Sequence, residues 1–244
     1  MPEGPSIVIL KEAVQKFKRK KIQQANGNAK IDMEAMAGKS IVEFKSWGKQ
    51  FFIVLKGTVV RIHFLLWGSY SIDELIRPDK SIRLHLKFTN GDLYFYTCSV
   101  KIVDDAFLSA IDWQADVMSD EWNAALARKK LKAQPAMLAC DALLDQQVFS
   151  GVGNIIKNEV LFRIGVHPLS EVGKMPPKKL KQLVDEARNY SFDFYKWKKE
   201  FVLKKNWLIH TKKKCPNCSG PVSLQHLGKT NRRSFYCERC QQRY

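Results

Sequence analysis

Four cysteines near the C-terminus constrain the fold more than any other feature. CPNC and CERC place Cys215, Cys218, Cys237 and Cys240 in a C-x2-C-x18-C-x2-C pattern. Each C-x2-C turn presents two thiolates to one ion, and two such turns close a tetrahedral shell. Four sulfurs suit a single structural zinc ion and leave no open coordination position for catalysis. A rubredoxin-like iron site is chemically possible on the same ligands. Between the pairs, HLGKTNRRSFY carries Lys229, Arg232 and Arg233 beside aromatics at the tip of an expected hairpin. Bases interleaved with aromatics suit phosphate contact, and a solvated basic loop would read the same way.

Charge narrows the partner. In 244 residues, 41 Lys and Arg outnumber 24 Asp and Glu, so 41 − 24 gives a net +17. A folded chain this basic usually meets a polyanion. No apolar run approaches a membrane span, and the opening MPEGP lacks the charged-then-apolar pattern of a secretory signal. Charge favours nucleic acid without naming DNA or RNA, and the expectation is an intracellular protein in a reducing compartment, where paired cysteines bind metal rather than form disulfides. Cys98 and Cys140 lie in apolar surroundings and read as buried small hydrophobes.

Hydrophobic periodicity then divides the chain. Ile7, Leu10, Val14 and Phe17 keep helical spacing, which predicts an N-terminal helix running to the KRKK cluster at 18–21. From about Ser40 to Ile111, short β-rich runs such as IVEFKSWGKQFFIVL, VVRIHFLL and DLYFYTC alternate with turn signals. These predict antiparallel strands in a two-layer structure or barrel. From Asp120 the pattern is helical: DEWNAALARKKL with acids in its first turn, then AMLACDALLDQQVF, NIIKNEVLFRIG closed by Gly165, and PPKKLKQLVDEARNYSFDFY. Gly151 and Gly153 precede the third of these helices, where backbone amides and the helix dipole favour an anion. The expected division is a β-rich domain at 1–117, a helical domain at 118–210 and a metal module at 211–244.

PEGP at the N-terminus, SWGKQ, GVGN ahead of a helix and a C-terminal four-cysteine ribbon occur here in one order. This ordered set resembles the formamidopyrimidine-DNA glycosylase and endonuclease VIII family. The resemblance spans Pro2 to Cys240 and implies an α+β multidomain fold. Its parts are an N-terminal β-sandwich with an N-terminal helix, a helix-two-turn-helix domain and a zinc finger, with DNA in the cleft between halves. It implies a base-excision-repair enzyme, a bifunctional glycosylase and abasic-site lyase working as a monomer on double-stranded DNA with oxidised bases or abasic sites.

The resemblance also assigns residues. Pro2 matches the nucleophile, once removal of Met1 frees its amine, and Glu3 matches the general acid/base. Lys49 matches a lysine on phosphate near the lesion, and Asn154 a phosphate-binding asparagine. Arg232 matches the zinc-finger arginine that grips phosphates flanking the extruded nucleotide, with Arg233 its neighbour. Pro2, Glu3, Lys49 and Arg232 form the expected catalytic set. Leu65, Leu66 and Trp67 fall where endonuclease VIII carries its intercalating triplet, and large apolar groups suit a wedge. LLDQ and the short connector KWKKEFVLKKNWLIHTKKK before Cys215 also resemble that branch, which implies a preference for oxidised pyrimidines. Ser6 departs from the Glu or Gln common in the family and weakens inference about the base. Two other classes stay open: a catalytically silent binder of damaged DNA, and a zinc-ribbon RNA-binding protein.

Overall fold

The computed structural model describes residues 2–244, so the expectation about Met1 lies outside it. Two compact units emerge, Met1–Ile111 and Asp112–Tyr244.

In the first unit, α1 (Gly4–Ala13) starts on Pro5, whose fixed φ suits a first turn. The helix stops short of the predicted KRKK end. A tight turn at Gln15–Phe17 follows, and Arg19 takes φ 65°, which breaks helical continuity. β1 (Gln24–Asn26), β2 (Ile41–Trp47), β3 (Gln50–Leu55), β4 (Thr58–His63), β5 (Ser69–Ile72), β6 (Ile82–Phe88), β7 (Gly91–Tyr96) and β8 (Ser99–Val103) then build two antiparallel sheets. Their orders are β2-β3-β4-β8 and β1-β6-β7-β5. Inner faces meet through Phe44, Phe51, Ile62, Leu84, Leu93 and Phe95, with Ile7 and Leu10 of α1 in the same core. Phe51 and Phe95 lie 6.0 Å apart by ring centroids. β3 is buried on both faces because Phe107 of α2 (Asp105–Ser109) covers Phe52 on the outside. The two-layer expectation holds as a β-sandwich.

The second unit is helical. α3 (Ala124–Lys132) begins later than predicted, and Asp120 and Glu121 lie ahead of it rather than in its first turn. Asn123 supplies the N-cap instead, accepting a hydrogen bond from Leu126 N at 3.0 Å. α4 (Ala139–Leu144), α5 (Asn154–Arg163) and α6 (Pro177–Lys199) pack around Leu131, Leu143, Ile156, Val160, Leu183 and Val184. α6 runs through Lys199, so part of the expected connector before Cys215 is helix. β9 (Ser223–Leu227) and β10 (Arg232–Tyr236) form the hairpin between the cysteine pairs.

Helices α5 and α6 end in the same way with different residues. In each, two crossed hydrogen bonds close the terminus: Gly165 N to Phe162 O and Val166 N to Leu161 O in α5, Phe201 N to Lys198 O and Val202 N to Trp197 O in α6. This closure needs one left-handed residue, normally glycine. Gly165 takes it at φ 65° and Phe201 at φ 58°. A side chain there costs roughly 1–2 kcal/mol. Phe201 is also 96% exposed, forgoing the roughly 1.5–3 kcal/mol that burying such a ring supplies.

Candidate nucleic-acid interface and metal centre

In the first unit the N-terminal residues are held by α1. Pro2 is half-buried, and Glu3 sits in extended conformation at the helix N-cap with 0% exposure. Its backbone carbonyl accepts from Ser6 N at 2.8 Å, but its carboxylate makes no cap hydrogen bond. A helix-capping role therefore does not explain why an acid is buried here. Such a group is normally retained inside a protein only with partners or a task.

Lys49 lies in the two-residue loop joining β2 to β3, where Trp47 pairs with Gln50 and Gly48 takes φ 53°. Gln50 in turn pairs with His63 at the end of β4. Burial holds the His63 imidazole below its ordinary value, with the Lys49 and Arg61 charges adding to the effect. Its Nδ1 accepts from Leu65 N at 3.1 Å. Leu65 takes φ 54° at the start of the β4–β5 turn. That turn closes through Gly68 N to Phe64 O at 2.8 Å, too tightly for any Cβ at Gly68. Leu65, Leu66 and Trp67 thus project from a braced turn and are 52%, 47% and 76% exposed. His63 was not singled out from sequence. Its signal was HF immediately ahead of the triplet.

In the second unit the sulfurs of Cys215, Cys218, Cys237 and Cys240 all lie within 4.8 Å of one another. Cys215 and Cys240 sulfurs are 3.7 Å apart, and those of Cys218 and Cys237 are 3.5 Å apart. Tetrahedral zinc with bonds of about 2.3 Å would separate its sulfurs by roughly 3.8 Å. All four are free thiols, so the donor set and its spacing fit one metal ion.

Asn154 opens α5 behind Gly153, with no side chain capping the helix. Its Oδ1 is buried with no hydrogen-bond partner among the described residues. One turn on, three polar side chains are buried rather than solvated. Lys157 Nζ donates to Arg233 O (3.1 Å) and Ser234 Oγ (2.8 Å). Asn158 Oδ1 accepts from Phe235 N, and its Nδ2 donates to His210 Nδ1. The Glu159 carboxylate accepts from Leu208 N, Ile209 N and His210 N at 2.9, 3.0 and 2.8 Å. The helix that carries Asn154 therefore grips the strand that carries Arg232. Arg232 and Arg233 are both exposed, and strand pleating sends adjacent side chains to opposite faces. Only one of them can share a face with a given ligand.

The hairpin tip is fastened separately. The Asp141 carboxylate on α4 accepts from Lys229 N (2.8 Å), Thr230 N (3.1 Å) and Thr230 Oγ1 (3.0 Å). Gly228 takes φ 71°, and a Cβ there would lie 2.5 Å from that carboxylate, so the turn favours glycine. Neither Asp141 nor the buried Lys157–Glu159 stretch was legible as functional in the sequence.

Comparison with known proteins places these features. The formamidopyrimidine-DNA glycosylase N-terminal domain matches residues 1–100. The formamidopyrimidine-DNA glycosylase H2TH domain matches residues 114–190. Endonuclease 8-like 3 of Xenopus laevis is 29% identical over 221 residues, which is 86% of this chain and 36% of the relative. Endonuclease 8-like 2 of Bos taurus is 34% identical over 199 residues, 75% of this chain and 58% of the relative. The chain thus spans about a third to three-fifths of these curated relatives' lengths. Among solved structures, Lactococcus lactis formamidopyrimidine-DNA glycosylase, bound non-covalently to DNA containing an AP site, superposes with a TM-score of 0.86. That superposition covers 99% of this chain and all of that one at 20% identity, a likeness of fold. With both domain patterns, the ordered motifs and the four-cysteine cluster in one chain, this protein belongs to the formamidopyrimidine-DNA glycosylase and endonuclease VIII family.

Proposed function

We propose that the protein is a DNA glycosylase and abasic-site lyase of base excision repair, acting on oxidised bases with a preference for pyrimidines. The observation that carries this reading is the fully buried Glu3 carboxylate beside Pro2, in a place where helix capping makes no use of it. Once Met1 is removed, the Pro2 amine attacks C1′ of the damaged nucleotide. The bond from C1′ to the base breaks, and the base leaves with a proton. Glu3 protonates the sugar ring oxygen as the ring opens, giving a Schiff base between Pro2 and C1′. The iminium accepts the electron pair released at C2′, so elimination breaks the C3′–O bond and then the C5′–O bond.

The remaining residues bind and orient. Lys49 and Arg232 hold phosphates, with Asn154 and one face of β10 supplying further backbone contact, Arg233 included. Leu65, Leu66 and Trp67 fill the stack vacated by the extruded nucleotide, offsetting an unstacking cost of a few kcal/mol. Their exposure on a braced turn supports that role. Cys215, Cys218, Cys237 and Cys240 would hold one zinc ion, which fixes the hairpin geometry and performs no chemistry. The helical part and the metal module work as distinct parts of one packed unit.

Borohydride trapping on an abasic-site duplex tests the reading. Mature protein should yield a stable adduct that disappears in Pro2→Gly and in a form retaining Met1. Lesion binding without any adduct from confirmed mature protein would leave the silent damage binder in its place. Loss of duplex binding to equimolar structured RNA would favour the RNA-binding class.

A further inference from the structure

Phe201 presents a contradiction that packing does not resolve. It stands in the left-handed position that α5 fills with glycine, so the backbone is strained for a side chain. Its ring nevertheless gains no burial, at 96% exposure. The backbone on both sides is fixed. The crossed hydrogen bonds lock Phe201 to the end of α6, and Lys205 N and Asn206 Nδ2 both bond to Val202 O at 3.0 and 3.1 Å. The ring therefore projects from an ordered support. Local rules are broken in this way where function requires it.

The surroundings indicate the partner. Lys196, Lys198, Lys199, Lys204 and Lys205 are exposed within ten residues, against the single acid Glu200. Exposed lysines before and after an aromatic ring on an ordered backbone suit single-stranded nucleic acid, since lysines follow phosphates and the ring stacks on a base of any sequence. A protein-docking ring would more often sit in an apolar patch, and a membrane-inserting one would need several such groups.

We infer that Phe201 is a stacking platform for an unpaired nucleobase, with the lysines of residues 196–205 holding the adjoining phosphates of a single DNA strand. This rests on the nucleic-acid reading above but not on its chemistry.

The test uses the full chain, a fluorescently labelled oligothymidylate, and a single strand carrying 2-aminopurine, whose emission is quenched on stacking. Phe201→Gly should weaken single-strand binding by roughly 5- to 150-fold, the range of one base–aromatic stack, and abolish the quench. Phe201→Trp should retain both. Phe201→Gly should also melt no lower than the parent protein, because glycine relieves the left-handed strain, which separates lost binding from lost folding. Unchanged affinity in Phe201→Gly overturns the inference. So does failure of Phe201→Trp to rescue, or sedimentation showing a parent dimer that Phe201→Gly dissolves. Borohydride trapping of the parent protein is read independently. An absent adduct with a Phe201-dependent quench would remove the glycosylase reading and keep this one.

Discussion

Glu159→Gln is a nearly isosteric change with a large expected cost. In the native chain Oε1 accepts from both Ile209 N and His210 N, while Oε2 accepts from Leu208 N. Glutamine can keep its oxygen on the first two, but its amide group then meets Leu208 N–H, donor against donor. The two retained bonds lose charge assistance, about 1 kcal/mol each, and the stranded Leu208 N–H adds about 1–3 kcal/mol. The total is about 3–5 kcal/mol, a large share of a typical stability of about 5–15 kcal/mol. For a chain of 244 residues each kcal/mol lowers the thermal midpoint by about 2–4 °C, so the melt should fall by roughly 6–20 °C. The same segment leads directly into Cys215, so metal release to a chromogenic chelator should accelerate in parallel. Differential scanning calorimetry with a chelator time course reads both. A melt within about 1 °C of the parent value would refute the claim that this carboxylate organises the connector.

Trp67→Ala should leave the melting temperature within the scatter of a surface substitution, since the ring is 76% exposed. It should lower excision from duplex DNA more than cleavage of a single-stranded abasic substrate, and equal losses on both would count against the wedge. A pH effect follows from His210, where burial, with Lys157 and Arg233 nearby, pushes the imidazole down to about 4. The unfolded chain takes up a proton near pH 6.5 that the folded chain refuses until about 4, so stability falls as pH drops through that window, by about 3 kcal/mol. Urea midpoints for the parent and His210→Asn should converge as pH falls from 7 to about 4, and parallel curves would exclude His210 as the cause.

What could be read in the sequence depended on which residues declare their role by type. Cysteines spaced for metal, alternating strands and the GVGN entry to α5 are local signals, and each is found where expected. Residues 157–159 were illegible for a physical reason. A Lys-Asn-Glu run in a helix reads as a solvated face, whereas here all three side chains are buried against segments 49–77 residues away. Only the folded chain brings those partners together. Asp141 was hidden likewise, its carboxylate bonding to backbone 88 and 89 residues distant. The end of α1 was misplaced because apolar spacing continues through Phe17 while the backbone turns, so periodicity reports burial rather than helix.

Asp141, Lys157 and Asn158 fasten the hairpin to the helices, which makes the packing of the two interdependent. In sequence the cysteine module resembles a detachable bead. In packing it completes the helices before it, since Val166 also pairs with Gln242 and Gln241 Nε2 donates to Val166 O at 2.8 Å. Ending the chain before Cys215 would remove Arg233 O and Ser234 Oγ from Lys157 and Phe235 N from Asn158, leaving Asn158 its bond to His210. The ribbon is thus a keystone of the helical half, since its second strand and the residues after Cys240 satisfy polar groups that the helices bury.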